Sequence, residues 1–180
     1  MIILFEGHIF WRELEKIGLD PSSMVKGNED ILYKKPNYKY YNRPQYPRLE
    51  KAKKIDEVAG LNSASYGMFQ VMGFNHKLAG FDSVLEMVNS LSKSEKNQLE
   101  AFINFLKNTA CYKDLKAKDW KAFARHYNGL MYARNQYDIK LEKAYNNSKL
   151  TKGVATPMDE ETYTSIYALE LEKAFLELEE

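Results

Sequence analysis

A glutamate set in an apolar run and an amide set among small and apolar residues are the features of this sequence best suited to chemistry. Glu6 follows Ile2-Ile3-Leu4-Phe5 and precedes Gly7 and His8. Apolar surroundings favour the protonated form of a carboxyl, which is what a general acid requires. The same residue also reads as a structural carboxylate paired with His8 or with a basic side chain. Gln70 lies in the stretch Ser63 to Asn75, bracketed by Gly67 and Gly73, where the backbone is free to bend or to approach a neighbour closely. An amide in that setting must find hydrogen-bond partners, and a polar group held rigidly among apolar ones is what a ligand cleft uses. The alternative is that Met68, Phe69, Val71 and Met72 are core and Gln70 ties up a turn. A third stretch, Phe123-Ala124-Arg125-His126-Tyr127-Asn128-Gly129, reads by itself as a helix ending on the Asn-Gly signal.

The elements that must position these groups are mainly helical. Ile2 to His8 reads as a short apolar strand or extended run entering a helix over Ile9 to Ile17, which Gly18 and Pro21 stop. Residues 22 to 46 are irregular, with Tyr33, Tyr38, Tyr40, Tyr41 and Tyr46 interleaved with basic residues and with Pro36 and Pro44 blocking a long helix. The spacing predicts one helix over Pro47 to Leu61. Capping boxes at Ser83-Val84-Leu85-Glu86 and Ser92-Lys93-Ser94-Glu95 predict two more, the second burying a stripe of Leu99, Phe102, Ile103 and Leu106. Asp119 is placed to cap a helix carrying Trp120, Phe123 and Ala124, and a further helix is expected from Tyr132 to Tyr145. Asn146 to Pro157 reads as a linker before an acidic helix with Tyr163, Tyr167, Leu171, Phe175 and Leu178 on one face. The fold class expected is mainly α with at most a minor β element.

Composition narrows the chemistry. At 180 residues, 44% hydrophobic and 28% charged, the chain has the make-up of one globular domain with a substantial core. A net charge of +1 argues against nucleic acid as partner, although Lys34 to Lys54 is locally basic. The apolar start stops at Glu6, too short to span a membrane and without the features of a signal peptide, so synthesis in the cytoplasm and no stable membrane insertion are expected. His8, His76 and His126 are scattered without metal-ligand spacing, and no phosphate loop is present, so no metal or organic cofactor is expected. Cys111 is the single cysteine; it excludes an internal disulfide and reads as a structural thiol.

Gly67-Met68-Phe69-Gln70-Val71-Met72 resembles the Gly-x-x-Gln-(Ile/Val)-Met motif of the lysozyme and lytic-transglycosylase superfamily. The run from Ser65 to Asn75 is closer still to the N-acetylmuramidase family of phage and prophage endolysins. Ala124 to Gly129 is similar to the Ala-x-Tyr-Asn-x-Gly motif of the same cleft, with the likeness extending from Asp119-Trp120 to Tyr137-Asp138. Ile3 to Phe10, Pro47-Arg48-Leu49 and Gln98 to Phe102 also follow the family pattern. The resemblance covers roughly residues 2 to 147. It implies a lysozyme-like domain over 1–147, with 148–180 as a linker and amphipathic helix outside it. It further implies cleavage of the β-1,4 bond between N-acetylmuramic acid and N-acetylglucosamine, with peptidoglycan glycan strands as partner and the cell wall as the site of action.

By resemblance, Gln70, Tyr127 and Asn128 are cleft residues, with Ser65 and His8 nearby, all on the substrate-binding side. In this family the general acid belongs to a Glu-(Ser/Thr)-x-Gly segment upstream of the Phe-Glu-x-His stretch, so the sequence from Met1 onward is expected to lack it. Glu6 is then the carboxylate left for catalysis, as acid or as assistant. The alternatives are a degenerate domain that binds peptidoglycan without cutting it, a lytic transglycosylase, or an interaction module built on the last helix.

Overall fold

A computed structural model describes residues 1–150; the acidic helix expected beyond Pro157 lies outside the described residues. The chain divides into two compact units, Met1–Asn108 and Thr109–Glu180. Within the first, β1 (Ile3–Phe5) leads into α1 (Gly7–Lys16), followed by an irregular segment with short 3-10 turns. Then come α2 (Gln45–Lys53), α3 (Glu57–Asn62), β2 (Ala64–Tyr66), β3 (Val71–Met72), α4 (Val84–Leu91) and α5 (Glu95–Lys107). The class is therefore mainly α with a minor β element, as the sequence predicts.

The strands form one antiparallel sheet in the order β1-β2-β3, with Ile3 opposite Tyr66, Leu4 opposite Ser65 and Ser65 opposite Met72. Side chains alternate between the faces of a strand, and this register separates them cleanly. Ile3, Phe5, Ala64, Tyr66 and Val71 are all buried and join the main hydrophobic cluster with Phe10, Leu14, Ile31, Leu32 and Met87. The opposite face carries Leu4, Ser65 and Met72, and Glu6 continues it because its N–H still pairs with the Ser63 carbonyl, 2.8 Å away.

Two expectations shift. The helix predicted over Pro47 to Leu61 is two helices, because Asp56 adopts an extended conformation (φ −152°) and its side chain accepts from the Ala59 N–H to start α3. The apolar stripe of α5 is rotated by one position: Leu99 and Ile103 are exposed, and the buried face is Gln98, Ala101 and Leu106 with Phe102 and Phe105 packed against the core. The reason is Gln98, whose amide accepts from Met68 N (2.9 Å) and donates to Leu91 O (3.0 Å), so a polar residue takes a core position by satisfying two backbone groups. Ser94, not Ser92, caps α5, accepting from Asn97 N, while Ser83 caps α4 as expected.

The second unit holds α6 (Cys111–Ala117), α7 (Trp120–Asn128) and α8 (Tyr137–Leu150). Asp119 caps α7 by accepting from Ala122 N, and Phe123 and Ala124 are buried. α8 starts at Tyr137 rather than Tyr132, which a 3-10 turn over Leu130–Ala133 precludes, and it continues past Asn146, where a linker was expected, to Leu150. Cys111 is buried, and that burial pushes its thiol up. Among the described residues, no helix is long and apolar enough to cross a membrane.

Burial also pushes the Tyr66 hydroxyl well above its ordinary 10.0, and Tyr33 follows in spite of opposition from Arg48. Tyrosines in the unfolded chain ionise near pH 10 while these two stay neutral in the fold, so the unfolded state loses protons first and stability falls as pH rises above that point. The expected slope is about 1.4 kcal/mol per pH unit for Tyr66, with Tyr33 adding in the same direction. Urea midpoints should be level up to about pH 9.5 and fall beyond it, and Tyr66→Phe should flatten the decline. A midpoint unchanged at pH 11 would contradict this account.

Candidate active site

Glu6 opens α1 without capping it through its side chain. Its backbone carbonyl accepts from the N–H groups of Ile9 and Phe10, so the residue is fixed by the helix start on one side and by the sheet on the other. The Glu6 side chain is only 13% exposed. The Tyr41 hydroxyl lies 2.8 Å from Oε1 and 2.6 Å from Oε2, and with one hydrogen it donates to one of them at a time. His8 Nδ1 is 3.3 Å from Oε2 but lacks hydrogen-bond geometry, and it is a buried nitrogen with no other hydrogen-bond partner. No lysine or arginine among the described residues comes within ion-pair distance of Glu6. Glu13 is the contrast: a buried carboxylate held by Lys16 and by the Asn62 amide (3.0 Å), as a structural one should be.

The wall beside Glu6 is aromatic and cationic. His8 stacks on Tyr33 and Tyr33 on Tyr40, with ring centroids 6.4 and 5.5 Å apart. The Tyr33 hydroxyl accepts from Gly7 N at 3.0 Å and from Arg48 Nη2 at 2.9 Å. Arg48 is buried, donates to the carbonyls of Asp30, Phe5 and Tyr40 and to Gln45 Oε1, and lies over the rings of Phe5 and Tyr40.

Gln70 closes the β2-β3 hairpin. Its backbone is left-handed, with φ at +48°, an unusual conformation for a residue other than glycine. Its Oε1 accepts from the Ser65 hydroxyl at 2.7 Å and its Nε2 donates to Gly67 O at 2.7 Å, which leaves one amide hydrogen and one lone pair for another partner. The turn is pinned from α5 by Gln98 and by Phe102, whose ring stacks on Phe69 at 4.3 Å. Both bracketing glycines are required. A Cβ on Gly67 (φ +76°) would meet Gln98 Oε1 at 2.6 Å, and one on Gly73 would run into the Leu61 carbonyl. Gln70 thus ties the turn, as one of the two sequence readings has it, and keeps amide capacity in reserve.

Glu6, His8, Ser65 and Gln70 all belong to the first unit; Glu6 and Ser65 share the face of the small sheet opposite the core cluster, and Gln70 reaches Ser65 from the turn. Tyr127 and Asn128 lie in the second unit. There Tyr127 stacks on Phe123 at 5.7 Å, and Asn128 is buried as the last residue of α7 before Gly129 at φ +83°. Sequence reasoning missed Tyr41 as the partner of Glu6 and Arg48 as the hub of the adjoining wall. The only sequence signal for either was membership of the tyrosine-rich basic segment and of Pro47-Arg48-Leu49. It also missed the pair of His126 Nδ1 with the buried Asp114 carboxylate at 2.5 Å. His76 Nδ1 lies 3.1 Å from Gly73 O. Among the described residues, no group of three or more His, Cys, Asp or Glu is placed to hold a metal.

The N-acetylmuramidase family model matches residues 1–149. The chain is similar to the solved structure of the Burkholderia AP3 phage endolysin, at 34% identity and a TM-score of 0.76 over 83% of this chain. The match covers 57% of that endolysin, so the chain spans rather more than half its length. No curated protein matches the chain.

Proposed function

This chain belongs to the N-acetylmuramidase family, and from that premise we propose that it is a peptidoglycan hydrolase cutting the β-1,4 bond between N-acetylmuramic acid and N-acetylglucosamine. Its fold, mainly α and similar to that of a phage endolysin, is of the lysozyme-like kind. The activity is assigned to residues 1–147, acting on the glycan strands of the cell wall, with 148–180 as an appendage to that domain.

The observation that carries this reading is the environment of Glu6. It is a largely buried carboxyl, held by a tyrosine hydroxyl and faced by an unsatisfied imidazole nitrogen, with no lysine or arginine among the described residues within ion-pair distance. Tyr41 orients the carboxyl, and the role assigned to Glu6, that of general acid, needs a proton on the oxygen that Tyr41 does not hold. Glu6 gives that proton to the glycosidic oxygen as the C1–O bond breaks. A water adds to the anomeric carbon and returns a proton to the carboxylate, so one bond is cleaved and one water consumed. Gln70, braced by Ser65, offers its spare amide hydrogen to a sugar oxygen, and His8, beside Glu6, is assigned to the substrate-binding side with it. Tyr127 and Asn128 are assigned to substrate binding on the family motif alone.

Purified peptidoglycan incubated with the chain should release soluble fragments with new reducing ends, identified by mass spectrometry. Gln70→Ala should lower the rate roughly tenfold, the loss of one well-placed hydrogen bond. Fragments ending in 1,6-anhydro sugars would replace hydrolysis with transglycosylation. Retention on peptidoglycan without release would leave a binding domain only.

A further inference from the structure

Beside the aromatic wall, a cavity of about 440 Å³ opens between the irregular segment and α2. Lys39, Arg43, Arg48 and Lys51 line it, with Tyr40 and a single acid, Asp30. Asp30 is already engaged: Lys51 Nζ lies 2.5 Å from its carboxylate and also donates to Gly27 O. The other three cations have no carboxylate within ion-pair distance among the described residues. Arg48 is the most telling, because it is 97% buried and its charge is met only by neutral oxygens and ring faces. A buried cation with no anion is costly unless something supplies one. Lys39 and Arg43 are exposed at the mouth, and Tyr40 offers a ring on which Lys39 already sits at 5.6 Å.

We propose that this cavity is a carboxylate-binding subsite that takes the acidic stem peptide hanging from the glycan strand, so that the chain grips peptide as well as sugar. The size suits a few residues of peptide, and guanidinium forks with lysine at a rim are the groups that bind carboxylates. A phosphate polymer is less well matched. The cations converge on one concavity instead of forming a stripe along a backbone, and the whole chain carries a net charge of only +1. The inference rests on the wall polymer being the substrate, but its test does not depend on cleavage.

Binding of the tripeptide L-Ala-γ-D-Glu-L-Lys to the full chain, followed by calorimetry or by NMR, should weaken at least tenfold when the peptide carboxylates are converted to carboxamides. The double variant Lys39→Ala/Arg43→Ala, both exposed positions, should weaken binding of the acidic peptide by a similar factor and leave the far-ultraviolet circular dichroism unchanged. Inorganic phosphate and a single-stranded oligonucleotide are the competing arms, and either binding more tightly than the peptide overturns the assignment. Equal binding of the carboxamide peptide, or an unaffected double variant, overturns it as well. Peptide binding without any release from peptidoglycan would uphold the subsite while defeating the hydrolase reading, so the two fail separately.

Discussion

Glu6→Gln is expected to lower the release of reducing ends from peptidoglycan by roughly 10²–10⁴-fold, the range by which a positioned acid or base accelerates proton transfer. The substitution changes little else. Glutamine keeps an oxygen that can accept from the Tyr41 hydroxyl, and the backbone groups of residue 6 that hold Ser63, Ile9 and Phe10 are untouched. Stability should therefore stay within about 1 kcal/mol of the parent, which a urea melt would check. Tyr41→Phe makes the informative companion. It removes the hydroxyl that orients the carboxyl while leaving the carboxyl itself, so its loss should be nearer tenfold. A Glu6→Gln variant that retained more than a tenth of parental activity would end the assignment of Glu6 to proton transfer.

Arg48→Leu should destabilise the protein by about 3–5 kcal/mol, because several acceptors in a buried site lose their donor at once, each at a cost of about 1–3 kcal/mol. Leucine fills much of the space but cannot donate. The carbonyls of Asp30 and Phe5 and the Tyr33 hydroxyl then lose a partner together in a buried site. Tyr40 O and Gln45 Oε1 fare better, since the Gln45 amide still reaches Tyr40 O and Phe5 N still donates to Gln45. Part of the loss is returned because a buried charge without a carboxylate is also removed, and for that reason the figure stays below the sum of the broken bonds. The control is Lys51→Ala, which breaks a partly exposed pair with Asp30 and should fall within about 1 kcal/mol. A loss under 1 kcal/mol for Arg48→Leu would show that the guanidinium is not the hub described above.

Local signals in the sequence carried well into the structure, and signals that depend on partners far along the chain did not. Ser83 and Asp119 cap their helices because a cap is written within four residues. The Gln70 turn was legible for the same reason: Ser65, Gly67 and Gln70 are close neighbours whose types leave few arrangements. The face of α5 was misjudged because an amide, Gln98, occupies a core position through a hydrogen bond to Met68 thirty residues away, and periodicity counts only apolar residues. Tyr41 on Glu6 spans thirty-five residues of irregular chain, where tyrosines alternate with lysines and nothing distinguishes the one that turns inward. Arg48 looked like a member of a basic patch, and only the packing of β1, α2 and the irregular segment around it makes it a buried charge.

The left-handed backbone at Gln70 costs durability that the amide's bonds give back. A glycine there would adopt the same conformation without the penalty of roughly 1 kcal/mol that a side chain carries in that region. A population of variants bred for heat resistance alone would be indifferent between glutamine and glycine at residue 70, since relief of the strain is offset by loss of the amide's bonds to Ser65 and Gly67. One bred for cell lysis would be held at glutamine. Which residue survives at that single codon under each regime would reveal what the strain is kept for.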